Sequence, residues 1–142
     1  MTTATEVTTR KIPLWIMAYA GIQMLTSFVG IYGGYIDPSS FYSGFPDANW
    51  SDPLIKHLAG VWGSKNLGIV IVMLYSIIRS HPRVLGTVFL LKFIADTVDI
   101  LYTNTAFMPG TGLVTNLITW LILGLPQGIA AYILFKRSGF KF

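Results

Sequence analysis

The stretch 84–107, VLGTVFLLKFIADTVDILYTNTAF, constrains this chain most. It is long enough to cross a bilayer, yet it carries Lys92, Asp96 and Asp99. Their i, i+4 and i+7 spacing puts all three on one face of a helix. An ionisable group at the centre of a membrane helix costs about 2.5–3.5 kcal/mol on insertion scales. A stripe of three cannot face lipid. It has to turn toward other helices or a wet cavity, and the rest of the chain has to supply that cover.

Three more apolar runs are available for the purpose. Residues 13–36, 54–78 and 113–135 each match the length of a membrane span. Arg10 and Lys11 precede the first run, as in a signal peptide. The run exceeds a signal h-region, however, and shows no small-x-small cleavage site, so an uncleaved first span is expected. Residues 1–9 read as a polar, disordered tail. The connections are short. RSHPR at 79–83 is basic, and MPGTG at 108–112 reads as a tight turn. The segment 37–53 holds prolines, acids and aromatics with no Lys or Arg, which suits an interfacial anchor or a lid.

These runs predict an all-α fold, an integral membrane antiparallel four-helix bundle in a single domain over 1–142. Hydrophobic residues make up 53% of the chain and charged residues 11%, which fits that class. The net charge of +4 does not point to nucleic acid. Arg10, Lys11, Arg79, Arg83, Lys136, Arg137 and Lys141 all fall beside one membrane face, so a multi-pass protein with both termini cytoplasmic is expected.

Several chemistries are disfavoured. With no cysteine there is no disulfide, thiol nucleophile or iron–sulfur ligation. His57 and His81 belong near opposite membrane faces, and no HExxH pair exists, so neither a metal nor a bis-His haem is expected. The same placement of His57 argues against a Ser–His–Asp triad. No cofactor is expected.

What remains is a polar cluster at mid-depth. At a rise of about 1.5 Å per residue, Gln23, Lys65, Lys92, Asp96, Asp99 and Gln127 all lie roughly 14–24 Å from the basic flank. Gly30 and Gly34 share the Gln23–Ser27 face and form a small-xxx-small packing pair. Asn116, Trp120 and Gln127 share a face of the last span, and Pro126 there should kink it. Lys65 and Lys92 balance Asp96 and Asp99. Lys65 is the expected inter-helix partner of an acid, and Lys92–Asp96 has helical i, i+4 spacing.

Two functions fit such a cluster. In one, it lines a pocket for a small hydrophobic ligand. Lys65, Asp96 and Asp99 are then candidate acid–base residues, with Gln23, Asn66, Lys92, Asn116, Trp120 and Gln127 as ligand contacts. In the other, it locks the packing of a non-catalytic accessory subunit of a larger membrane complex. The expected partners are membrane lipid and the ligand, with a homo-oligomer or larger complex as the wider assembly.

Residues 60–68, GVWGSKNLG, lead into an apolar run ending at Arg79 and precede an acidic third span. In this the chain resembles the DoxX-like family of small membrane proteins, although the family carries Arg where this chain has Lys65. The resemblance implies a four-helix membrane fold. It also implies a quinone-linked role, since members have been linked to thiosulfate–quinone oxidoreduction.

Overall fold

A computed structural model describes residues 12–41, 49, 51–102 and 113–139. The side chains of Ser40, Phe41, Tyr102, Leu113, Thr115 and Asn116 lie outside that description. So do the expected polar tail, most of the aromatic segment after Phe41, and the expected turn at 108–112.

All regular structure among the described residues is helical. Helix α1 is Leu14–Tyr35, α2 is Pro38–Phe41 and α3 is Pro53–Ile78. Helix α4 is Pro82–Tyr102 and α5 is Leu113–Thr119. A π-helical turn, Trp120–Gly124, joins α5 to α6, Leu125–Arg137. Helix α2 is a single turn within the segment expected to be loop.

The ends of these helices have local causes. The Asp52 carboxylate accepts the Leu54 N–H at 2.7 Å, and Pro53 opens α3 where its missing donor costs nothing. Helix α3 closes in a Schellman arrangement. The Ser80 N–H bonds the Ile77 carbonyl at 3.1 Å and the His81 N–H bonds the Ser76 carbonyl at 2.8 Å. Ser80 takes the left-handed conformation this needs, with φ of 51°. Pro82 then starts α4 directly. A π turn precedes Pro126, in which the Leu125 N–H reaches back to the Trp120 carbonyl.

Three helical stretches are long and apolar enough to cross a membrane: α1, α3 and residues 117–137. Helix α4 is 21 residues long, and its charged stripe sets it apart from the other three.

Packing is uneven. Helix α1 lies mainly on α3, and α4 mainly on α6, with a lighter contact between α3 and α4. The apolar core joins Ile16 and Ala20 of α1, Met73 of α3, Leu85 and Phe89 of α4, and Ala130, Ala131 and Leu134 of α6. It lies toward the 79–81 turn. The stripe on α1 is buried as its pattern implies, with Gln23, Ser27, Gly30 and Gly34 all covered. A Cβ at Gly34 would come within 2.7 Å of the Ala59 carbonyl oxygen and the Gly63 Cα, so backbones touch here. Leu25, Phe28 and Val29 of α1, and Leu67, Ile71 and Leu74 of α3, stay exposed on the outer surface.

Candidate functional site

Helix α4 sets the frame. Lys92 and Asp96, one turn apart, form an ion pair at 3.2 Å, with side chains 16% and 31% exposed. Gln127 of α6 donates to the same carboxylate, Nε2 to Asp96 Oδ2 at 2.8 Å. Asp96 therefore receives a charged and a neutral donor, which satisfies a carboxylate among apolar helices. Trp120 donates its indole N–H to Thr97 Oγ1 at 2.9 Å, tying the π turn to the same region of α4. Thr97 in turn donates to the Phe93 carbonyl at 2.7 Å.

A second polar network lies alongside. Tyr19 donates its hydroxyl to the Leu123 carbonyl, inside the π turn. Gln23 Nε2 donates to the Tyr19 oxygen at 2.6 Å. The Tyr19 hydroxyl also neighbours the Gln127 amide, so the two networks adjoin. Gln127 is fully buried, and its Oε1 has no partner among the described residues.

Two cavities border this cluster. A groove of about 650 Å³ runs between α3 and α4. Its end nearer the 79–81 turn is apolar, with Ile69, Val72, Val84 and Val88. Its other end carries Trp62, Lys65, Asn66, Lys92, Asp96 and Asp99. It opens sideways past exposed residues, among them Lys65, Gly68, Val72 and Leu91. A smaller cavity of about 300 Å³, no more enclosed than the groove, lies against α1 and the π turn. Gln23, Ser27 and Trp120 line it, and it shares Trp62, Asn66, Lys92, Asp96 and Asp99 with the groove. The charged stripe of α4 is the common wall.

The structure thus gathers Gln23, Asn66, Lys92, Asp96, Asp99 and Trp120 around one cavity, with Gln127 bonded to Asp96. Lys65 lines the groove alone. It makes no ion pair among the described residues; of the two pairings expected, Lys92–Asp96 forms and the inter-helix pair of Lys65 does not. The reason is rotation: Asn66, one residue on, turns inward and is buried, which leaves Lys65 exposed. The backbone of Asn116 belongs to α5, and its side chain lies outside the described residues.

Tyr19, Trp62 and Thr97 belong to the cluster and were not apparent in the sequence. Trp62 and Thr97 follow helical spacing from Asn66 and Phe93, a signal no different from ordinary packing. Among the described residues no group of three or more His, Cys, Asp or Glu side chains could hold a metal ion. No family model, no curated protein and no solved structure matches this chain.

Proposed function

We propose that the chain is a multi-pass integral membrane protein whose lateral groove binds a small, mainly apolar ligand of quinone or isoprenoid-like character. The bundle is antiparallel, and α4 is a further span, with Lys92 and Asp96 turned toward the other helices and Asp99 lining the groove. Both termini are cytoplasmic, because Arg79, Arg83, Lys136 and Arg137 mark one end of the helices. The broad outer surface of exposed Leu, Ile, Phe and Val supports a lipid setting, since patches this apolar are rare on soluble monomers.

The groove carries the functional reading. Its volume of about 650 Å³ falls in the range of small-molecule sites, which are mostly apolar with a few convergent polar groups. A sideways opening gives a ligand dissolved in the bilayer a direct path. At the polar end Lys65, Asp96 and Asp99 hold the ligand's polar group and exchange a proton with it, while Lys92 keeps Asp96 in place. The likeness of residues 60–68 to the DoxX-like pattern agrees with a quinone-linked role.

A second reading draws on the same opening. A groove that is open along apolar walls also accepts a helix of another protein, as in an accessory subunit. Mass spectrometry of the full chain purified in mild detergent separates the two. A retained quinone or isoprenoid, lost when Gly68→Trp fills the groove, supports ligand binding. A stoichiometric protein partner with no retained small molecule supports the accessory role.

A further inference from the structure

Serines and threonines inside helices commonly return their hydroxyl to the carbonyl four residues back. Ser64, Ser76, Thr87 and Thr97 do so, at 2.9, 2.6, 3.0 and 2.7 Å. Ser27 does not. The carbonyl it would use, that of Gln23, accepts instead from Thr26 Oγ1 at 2.9 Å. Ser27 is only 2% exposed, and its Oγ has no hydrogen-bond partner among the described residues. It lines the smaller cavity.

The charges around that cavity decide what Ser27 could meet. Its ionisable lining is Lys92, Asp96 and Asp99, and the ammonium is already bound to Asp96. Carboxylates accept hydrogen bonds and cannot donate them. A phosphate or carboxylate head would bring further negative charge and further acceptors next to two acids. A hydroxyl head brings a donor for a carboxylate and an acceptor for the Ser27 hydroxyl.

We propose that the smaller cavity is the head-group subsite of the groove and takes the hydroxyl of a long-chain or polycyclic alcohol. The apolar body of that alcohol lies between α3 and α4. The shared wall makes the two cavities neighbours: a molecule in the groove touches the same Trp62, Asn66, Lys92, Asp96 and Asp99 that border the smaller cavity. The inference rests on the groove being a ligand site; it moves the head from Lys65, which lines the groove alone, to Asp96, Asp99 and Ser27, and it selects the isoprenoid-like ligand over a quinone, whose carbonyl cannot donate.

The test uses the full chain in detergent micelles and three probes with one body: geranylgeraniol, its methyl ether and its monophosphate. Binding is read from tryptophan fluorescence, since Trp62 and Trp120 line the cavities. The alcohol should bind at least about tenfold more tightly than either derivative, as expected for a hydrogen bond to a charged group. Ser27→Ala should weaken the alcohol about fivefold or more, and should weaken the ether as well, because the ether oxygen still accepts from Ser27. Its unfolding temperature should stay level or rise, because an unbonded buried hydroxyl has been removed. A monophosphate that binds as well as the alcohol overturns the donor-head assignment and leaves the groove standing. Unchanged alcohol binding by Ser27→Ala does the same. Failure of all three probes to bind overturns the groove and the subsite together.

Discussion

On its α1 side, helix α3 presents Ala59, Gly63, Asn66, Val70 and Met73, all buried. On its α4 side it presents Lys65, Gly68, Ile69 and Val72 to a groove of about 650 Å³. One helix thus carries a closed seam and an open one. Chain connectivity would suggest the reverse, because α3 and α4 are joined by a three-residue turn at 79–81 while α1 and α3 are far apart in sequence. Side-chain size decides instead. Gly34 meets the backbones of Ala59 and Gly63, and Gly30 leaves room for the side chains of Trp62 and Asn66. Helix α4 spends its small and apolar face on α6, where Gly86 lies against Leu134, and turns its charged stripe to the space beside α3. A short hairpin brings two helices near each other without making them pack.

The largest effect should come from breaking the closed seam. At Gly34 the obstructing atoms are the backbone of Ala59 and Gly63, which cannot rotate away. Gly34→Ala should cost about 3 kcal/mol, the upper end of overpacking penalties. Denaturant unfolding in micelles measures it. A loss under about 0.5 kcal/mol, the level of ordinary surface changes, would mean the seam is not closed as described.

The wall of the open seam comes next. Asp96→Leu leaves the Lys92 ammonium without its carboxylate and removes the acceptor of Gln127 Nε2. Breaking a fully buried pair costs about 3–5 kcal/mol; partial exposure brings this one to roughly 2 kcal/mol. Adding Lys92→Met should recover most of it. Lys65→Met should change stability little. A double variant no more stable than Asp96→Leu alone would show that the two charges are not coupled.

These two predictions also mark what was legible beforehand. The stripe of Lys92, Asp96 and Asp99 could be read, because apolar length and helical spacing dictate it. The buried face of Gln23, Ser27, Gly30 and Gly34 could be read for the same reason. Lys65 could not be placed. Depth along a helix follows from counting residues, but rotation about its axis depends on which neighbour comes closest, and Lys65 and Asn66 point about 100° apart. The π turn could not be read, since spacing does not show a donor skipping back to Trp120 or that indole lying over Gly124. Tyr19 gave no signal because a tyrosine in a span resembles any interfacial aromatic.

A smaller effect of opposite sign tests the comparison directly. Nothing lies within 4 Å of a Cβ built at Gly68, on the open seam. Gly68→Ala should therefore stabilise by about 0.8 kcal/mol through helix propensity alone. The same substitution would then act in opposite directions on the two seams, at Gly34 and at Gly68. Destabilisation at Gly68 in the same unfolding assay would mean that something packs there and the groove is not open.

The smallest effect concerns the turn from which both helices of the open seam depart. Ser80 holds a φ of 51°, where a residue with a Cβ is disfavoured by about 1–2 kcal/mol. Glycine relieves that strain and loses about 0.5–1 kcal/mol through the greater freedom of its unfolded chain. Ser80→Gly should therefore gain roughly 0.5 kcal/mol, measured by unfolding under the same conditions. Ligand retention by mass spectrometry should not change, because Ser80 lies outside the groove and the Schellman hydrogen bonds at Ile77 and Ser76 are kept. If retention does change, the geometry of this turn sets the separation of α3 and α4, and side-chain size is no longer enough to explain why one seam closes and the other stays open.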